Sequence, residues 1–288
     1  MTSASRWWGR NRPAAALVVL VVMTALPLGL GVGYAAGYSL GLFDLVHPGL
    51  TLRHWARTLA EGEVLAALGY SLYVATVTML LTVGLSLGLV LGLGRPGRRG
   101  WFAGVMYFPL AIPAVVAGFY CFQLLSRSGL LARVAYQLGW VTSIGDFPEL
   151  VQEPYGIGLV VAHAFLATPF FTLLFRNLYL HERGDELGQV ARTLGASAWQ
   201  SLRRVVVPLL LRRAAAPLLL YFIFVFSSYE IPLLLGTQSP QMVSVLTVRK
   251  LRGYDLADYP EGYVIATLYA GLVLGLVPLL LRKRGNRQ

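Results

Sequence analysis

Charged residues are scarce in this sequence. Only 13% of its 288 residues are Asp, Glu, Lys or Arg, against about 25% in soluble globular proteins. With 56% hydrophobic residues and a mean hydropathy of +0.63, this deficit excludes a disordered chain, a nucleic-acid-binding domain and an ordinary cytosolic enzyme. The net charge of +11 is then typical of arginine-rich cytoplasmic loops. The sequence predicts an all-α polytopic membrane protein with no nucleic-acid partner.

Residues that carry chemistry are also few. The single cysteine, Cys121, excludes an intrachain disulfide and a cysteine-cluster metal site. Both lysines, Lys250 and Lys283, follow an arginine, whereas the phosphate loop of an ATPase needs Gly-Lys followed by Ser or Thr. The four histidines lie far apart, without the spacing of metal ligands. We therefore expect no catalytic residue, no metal site and no cofactor bound by this chain.

Six apolar segments have the roughly 20 residues needed to cross about 30 Å of hydrocarbon. The first is too long for the apolar region of a signal peptide, which has roughly 7–15 residues, and is predicted to be an uncleaved anchor. The segments form one predicted permease-like domain over residues 1–288. The predicted spans are 14–38, 68–93, 101–125, 156–180, 214–236 and 262–281.

The distribution of charge predicts the orientation of these spans. Seventeen of the 24 Lys and Arg residues lie at the N-terminus, at 95–99, at 176–213 and after 281. The other three loops, at about 39–67, 126–155 and 237–261, hold the remaining seven basic residues and nine of the 13 acids. The positive-inside rule therefore places both termini in the cytoplasm, which agrees with an even number of spans.

The cytoplasmic loop 181–213 has the most informative pattern. Leu187, Val190, Ala191 and Leu194 recur at helical spacing and predict a helix with one small apolar face. Gly195 is placed to end that helix, because glycine readily adopts the left-handed conformation of a C-terminal cap.

A second short helix is predicted to follow. Ser197 and Gln200 form a Ser-x-x-Gln capping box, and Trp199 lies on the apolar side of the helix that it begins. Pro208 and Pro217 are predicted to mark the return to the membrane. The product is a helix–turn–helix whose apolar surface is too small to fold alone and so needs a partner.

The same loop carries a motif with a defined spacing. Gln189-Val190-Ala191 is followed by Gly195 and, after nine more residues, by Val205-Val206-Val207-Pro208. It resembles the signature of permease subunits of binding-protein-dependent ABC importers, which is Glu-Ala-Ala, then Gly, then Ile-x-Leu-Pro at the same intervals. Gln189 stands where the family has Glu, so a salt bridge from this position is not available.

The resemblance implies a type I importer in a bacterial or archaeal cytoplasmic membrane. Its parts would be two permease subunits, identical or sister, two ATP-binding subunits that hold ATP and Mg²⁺, and an external solute-binding protein that docks on the outer loops. The loop would be the coupling helix that contacts the ATPase. Its implied contact residues are Gln189, Val190, Ala191, Leu194, Gly195, Ala196, Trp199 and Pro208.

A second group of residues is predicted to line the translocation path. Glu230 is the one acid within a predicted span, where a charge costs about 2.5–3.5 kcal/mol at the bilayer centre. Its neighbours Ser228 and Tyr229 belong to a Ser-Ser-Tyr-Glu-Ile-Pro run that favours a broken helix. His163 and Gln123 are further candidates. The alternatives are a solvated Glu230 near the outer surface and a His163 that only bonds a neighbouring helix.

The solute and one alternative function complete the expectations. The runs 228–236 and 255–261 look most like the polyamine, thiamine and ferric-iron branch, so a polyamine or thiamine-like cation is expected, with iron possible. The alternative is an ion-coupled secondary transporter that uses Glu230 and His163 as proton carriers. That transporter would have no use for the coupling loop.

Overall fold

The computed structural model of the chain describes residues 4–44, 49–92, 100–253 and 258–285, and no β-strand occurs in these ranges. The helices up to residue 181 are α1 (Ala4–Ser39), α2 (Arg53–Ala60), α3 (Glu63–Gly92), α4 (Gly100–Leu110), α5 (Ala114–Leu125), α6 (Leu130–Gln137) and α7 (Ile157–His181). The later helices are α8 (Gly184–Thr193), α9 (Ala198–Ser201), α10 (Val207–Arg213), α11 (Ala215–Phe226), α12 (Glu230–Leu235), α13 (Val243–Leu251) and α14 (Asp258–Gly285).

Several of these helices are suited to crossing a membrane. Four stretches are long and apolar enough, namely Ala16–Ser39, Glu63–Gly92, Ala114–Gln137 and Ile157–His181. A fifth results if Ala198–Arg213 and Ala215–Phe226, bent by 64° relative to each other, form one span. These counts cover only the described residues, so six spans with both termini inside stay a prediction. The predicted turn at 95–99 lies outside the described residues.

Most predicted spans coincide with helices, but two are interrupted. The predicted spans 14–38, 68–93 and 156–180 match α1, α3 and α7, and 262–281 lies within α14. The predicted span 101–125 contains an interruption, because α4 ends at Leu110 and α5 begins after Pro113. Proline cannot donate a backbone hydrogen bond and disfavours helical geometry in the residue before it.

The second interruption falls in the predicted span 214–236. Here α11 ends at Phe226 and α12 begins at Glu230, so Ser227–Tyr229 separates the two helices. The Ser227 hydroxyl donates to the Ile223 carbonyl at 2.7 Å, which gives the end of α11 a local partner. The break that the Ser-Ser-Tyr-Glu-Ile-Pro run favours is therefore confirmed.

The described chain forms two compact units. The first unit contains residues 1–64 and 247–276, and the second contains 65–246 and 277–288. In the first unit, α1 ends beside an aromatic group in which Tyr38 and Tyr263 have ring centroids 4.5 Å apart.

The core of the second unit lies between α3, α7 and the segment that follows the loop 181–213. Its buried apolar side chains are Leu87, Val90, Ala167, Phe171, Phe175, Val206, Leu210 and Ala214. A hydrogen bond from the Ser86 hydroxyl to the Thr168 carbonyl, at 3.2 Å, joins α3 to α7 in the same region. The base of the loop is thus built into the core of the unit.

Candidate functional site

The first loop helix, α8, ends in a Schellman motif. The Gly195 amide donates to the Arg192 carbonyl at 3.0 Å, and the Ala196 amide donates to the Ala191 carbonyl at 3.0 Å. Gly195 has a φ of +89°, a left-handed conformation that glycine adopts without a steric penalty. The predicted role of Gly195 as the cap of this helix is confirmed.

The second loop helix begins with the predicted capping box. The Gln200 amide donates to the Ser197 hydroxyl at 3.2 Å, and the Ser197 amide donates to the Gln200 side-chain oxygen at 3.0 Å. Both bonds are local and fix where α9 starts. A cap on each side of residues 194–197 therefore gives the connection one defined geometry.

Pro208 lies inside a continuous helical segment, and its place at the return to the membrane stays a prediction. Helix α9, a π turn at Leu202–Val206 and α10 follow one another from Ala198 to Arg213. The Val207 amide donates to the Leu202 carbonyl, five residues back. The wider turn accommodates the proline, which has no amide hydrogen and would crowd the carbonyl four residues before it. The sharp bend comes later, between Arg213 and Ala215.

The predicted apolar face of α8 divides into a covered and an uncovered part. Leu187 and Ala191 are half-buried, whereas Val190 and Leu194 are 56% and 83% exposed. Trp199, at the start of α9, is 66% exposed. We call Val190, Leu194 and Trp199 the loop tip. Three large apolar side chains exposed on one short rigid element are typical of a protein interaction site.

The other residues of the predicted contact set flank the loop tip. Gln189 and Gly195 are exposed, while Ala196 and Pro208 are partly buried. An added Cβ at Gly195 would meet no atom within 4 Å, so the surface around the cap is open.

Polar contacts that sequence reasoning missed hold the base of the loop. Glu182, just after α7, accepts two bonds from Arg213 at the end of α10, at 2.8 and 3.2 Å. The Ser201 hydroxyl donates to the Gly188 carbonyl at 3.2 Å and joins α9 to α8. The ion pair spans 31 residues, and no short motif signals a contact of that range. The ion pair therefore ties the end of α10 to the end of α7, and the Ser201 hydrogen bond holds the two loop helices together.

Two of the predicted path residues are in contact. His163 is fully buried in α7, and its Nε2 lies 3.0 Å from the Ser228 hydroxyl oxygen. Its Nδ1 lies 2.8 Å from the Leu159 carbonyl oxygen, which can only accept. The neutral ring therefore carries its proton on Nδ1 and accepts the Ser228 hydroxyl at Nε2.

Further hydrogen bonds extend this pair. The Tyr221 hydroxyl donates to the His163 carbonyl at 2.8 Å, and the Ser244 hydroxyl donates to the Ser228 carbonyl. The two bonds bring side chains of α11 and α13 to the break between α11 and α12. We call His163, Ser228, Tyr221 and Ser244 the polar break. Its members are satisfied by one another, which a buried polar group in an apolar region requires.

The remaining path candidates lie apart from the polar break. Glu230 is exposed at the first position of α12, Tyr229 is half-buried, and Gln123 is exposed on α5. In the part of the chain that the structure describes, no hydrogen bond or ion pair joins Glu230 to His163. Also among the described residues, no group of three or more His, Cys, Asp or Glu side chains could hold a metal ion.

Comparison with known proteins identifies the family. Residues 81–287 match the family described as "Binding-protein-dependent transport system inner membrane component". The chain belongs to this family. It is therefore a permease subunit of a binding-protein-dependent ABC importer and a multi-pass inner-membrane protein, as the loop motif predicts. The ion-coupled transporter weighed as the alternative is replaced by this assignment.

Individual relatives of the permease are named for the transport of molybdenum or sulfate. It is 27% identical over 215 residues to the molybdenum transport system permease protein ModB of Azotobacter vinelandii, covering 73% of this chain and 91% of that protein. It is 31% identical over 160 residues to ModB of Haemophilus influenzae, covering 55% and 66%. It is 27% identical over 227 residues to the sulfate transport system permease protein CysT of Escherichia coli, covering 76% and 78%.

A solved structure shares the fold of the permease. A chain of the bacterial alginate ABC transporter, crystallised in complex with an alginate pentasaccharide-bound periplasmic protein, superposes with a TM-score of 0.69 at 16% identity. The match covers 98% of this permease and 95% of that chain. At this identity the similarity shows the fold alone.

Proposed function

We propose that the permease is driven by a separate ATP-binding subunit that docks on the loop tip. The exposure of Val190, Leu194 and Trp199 on a doubly capped helix–turn–helix is the observation that carries this proposal. Aromatic and aliphatic side chains that fill a pocket of the partner supply most of the binding energy at such interfaces. The proposal also holds that ATP and Mg²⁺ bind to that partner and that this chain binds no cofactor.

The base of the loop supports a mechanism for transmitting the partner's motion. When the ATP-binding subunits close on ATP, a force on the loop tip reaches α7 through the Glu182–Arg213 ion pair and the buried side chains Val206 and Leu210. Packed interiors move as rigid bodies rather than deform continuously. Closure of the partner therefore tilts the membrane helices and turns the cavity outward.

The docking surface proposed here differs from the family signature at one position. Gln189 is exposed and replaces the family's Glu, so it offers the partner hydrogen bonds without a charge. We expect the contact of this position with the ATP-binding subunit to be nearly independent of salt, because screening acts on charges.

A translocation path between two permease subunits completes the assembly. One chain offers one coupling loop, and two ATP-binding subunits need two, so a second permease, identical or sister, is part of the proposal. Glu230, Tyr229, Ser228, His163 and Gln123 are proposed to lie along or beside the path, with Glu230 at its wall. Replacing Glu230 by Ala is then expected to lower uptake several-fold at unchanged expression. Glu230→Gln, which keeps the shape, separates charge from volume, and unchanged uptake in both variants would return Glu230 to the solvated surface.

We propose a small oxyanion, of the molybdate or sulfate type, as the solute. The support is the solutes in the names of relatives that cover most of this chain, molybdenum for ModB and sulfate for CysT. The polyamine or thiamine-like cation expected from sequence rests on the runs 228–236 and 255–261 and on Glu230, and neither that cation nor ferric iron has further support.

The deciding experiment is a mild-detergent purification of the tagged permease from its host, with co-purifying proteins identified by mass spectrometry. We expect an ATP-binding subunit and a second permease, and a captured solute-binding protein whose ligand is then tested with molybdate, sulfate and spermidine. A Trp199→Ser, Leu194→Ser double variant keeps the capped backbone. It should lose the ATP-binding subunit but still co-purify with the second permease. Recovery of the permease by itself, from membranes that keep other ABC importers intact, would contradict the proposal.

A further inference from the structure

Helix α2 is held against the end of the first apolar helix. Within the first unit, the Thr51 amide donates to the Leu40 carbonyl at 2.8 Å, and the Trp55 indole donates to the Ser39 hydroxyl at 3.3 Å. His54 Nε2 lies 3.3 Å from the Asp44 carboxylate. The apolar stretch of α1 runs from Ala16 to Ser39. Helix α2 therefore lies at the level where α1 leaves the hydrocarbon.

Ion pairs fix the rotation of α2 about its own axis. Arg57 Nε lies 3.1 Å from Glu261 Oε1 and 3.4 Å from Glu61 Oε1. The Glu261 side chain is 2% exposed and also accepts a bond from Lys250 Nζ at 2.8 Å. Thr58 is buried on the inner side of the helix. A carboxylate that is nearly inaccessible and shared by two cations allows little rotation of the helix that carries one of them.

The orientation so fixed leaves an apolar face uncovered. Leu52, the residue just before α2, and Leu59, two helical turns further on, lie on that face and are 68% and 38% exposed. Leu50, just before the helix, is 75% exposed, and Arg53 is exposed beside them. Phe43, in the connection between α1 and α2, is also half exposed. A short helix with leucines on one side and arginine next to them is typical of a helix that lies in a membrane interface.

We propose that α2 is an interfacial anchor that lies flat on the bilayer surface at the exit of α1. Leu50, Leu52 and Leu59 insert among the upper acyl carbons, and Arg53 reaches lipid phosphate. Continuity with α1 argues for lipid as the occupant, because α1 has no buried residue in its 18-residue apolar window and the bilayer is the solvent of that helix. The anchor fixes the height of the first unit in the membrane, a role separate from coupling and from transport.

The test measures the depth of α2 in the assembled transporter. A single cysteine replaces Leu52 in a Cys121→Ala background, is spin-labelled, and is studied in nanodiscs of phosphatidylcholine and phosphatidylglycerol. Collision with oxygen, which partitions into lipid, is compared with collision with a water-soluble nickel chelate. Leu20→Cys, on the exposed face of α1, is the lipid reference, and Glu149→Cys, exposed in the loop between α6 and α7, is the water reference.

We expect the label at 52 to favour oxygen several-fold over the nickel chelate relative to the label at 149, with a value between the two references. Leu59→Cys should behave in the same way, and Arg53→Cys should lie closer to water. Nickel accessibility at 52 equal to that at 149 would overturn the proposal. Exclusion of both reagents would also overturn it, because a second permease or the solute-binding protein would then cover this face. Only variants that retain ATP-dependent uptake in cells are purified, labelled and measured.

Discussion

The loop tip and the polar break both depart from the usual distribution, in which apolar side chains are buried and polar side chains are exposed. Val190, Leu194 and Trp199 are apolar and exposed on the loop, whereas His163 is polar and fully buried, with the half-buried Ser228 bonded to it. The tip remains unsatisfied within the chain, and the break is satisfied by internal hydrogen bonds. The difference indicates that the tip is made for a partner and the break for the chain itself.

The energetic consequences of the two departures also differ. Removing apolar surface from water is worth about 25 cal/mol per Å², and the tip gains this only when a partner covers it. Each bond at the break contributes only about 0.6 kcal/mol on average between membrane helices, but an orphaned buried partner costs about 1–3 kcal/mol. Substitutions at the tip should therefore affect association, and substitutions at the break should affect stability.

The largest effect is expected at Gly195. Gly195→Asp imposes roughly 1–2 kcal/mol of strain on a left-handed residue and adds a charge beside the loop tip. We expect ATP-dependent uptake and co-purification of the ATP-binding subunit to be abolished while membrane insertion is unchanged. Gly195→Ala, which has the strain without the charge, should retain part of both activities. Normal uptake by the Asp variant would remove the coupling assignment.

A smaller effect is expected when one side chain of the loop tip is shortened. Leu194→Ser should weaken binding of the ATP-binding subunit about tenfold, which corresponds to about 1.4 kcal/mol. The free energy of unfolding should change by less than about 0.5 kcal/mol, because an exposed side chain makes few contacts. Leu138→Ser is the matched control, because Leu138 is also a leucine that is 57% exposed but lies in the predicted outer loop 126–155. This control should leave binding unaltered. Equal loss in both variants would contradict a specific surface.

At the polar break the expected change is in stability. His163→Ala leaves the Ser228 hydroxyl without its acceptor and should lower the free energy of unfolding by about 1–3 kcal/mol. Ser228→Ala should cost less, and the double variant should recover part of the sum. Thermal unfolding of all four proteins in nanodiscs measures this coupling. Strictly additive losses would show that the two side chains do not interact.

The smallest effect is expected at Asp146, a polar residue in an exposed turn. The hydrogen bonds that it accepts from the Thr142 hydroxyl and the Ser143 amide lower the pKa of this carboxylate. Because the folded pKa lies below the unfolded value of about 3.9, the stabilisation is present above that value and is lost as the pH falls through the folded pKa. Hydrogen exchange of the Ser143 amide should accelerate over that acidic range. Thr142→Val should shift the acceleration to higher pH, and an unshifted profile would contradict this cause.

Local features of the loop were predictable from sequence because their partners lie within a few residues. The Gly195 amide and the Arg192 carbonyl, the Ala196 amide and the Ala191 carbonyl, and Ser197 with Gln200 are at most five residues apart. The break at Ser227–Tyr229 was favoured by its own residues. The interruption at 111–113 was not decided by sequence, because prolines such as Pro109 and Pro113 fit a bent helix as well as a broken one. The π turn before Pro208 has no strong sequence signal.

Composition and periodicity alone determined that the chain is a helical membrane protein with a doubly capped loop at 181–213, since hydropathy and helix caps act within one segment. Tertiary structure alone decided which face of α8 stays uncovered, that His163 meets Ser228 from 65 residues away, and that Glu182 pairs with Arg213. It also decided the rotation of α2, through Arg57 and the buried Glu261. These contacts depend on how helices pack against one another, and side chains brought together by packing need no fixed spacing in the sequence.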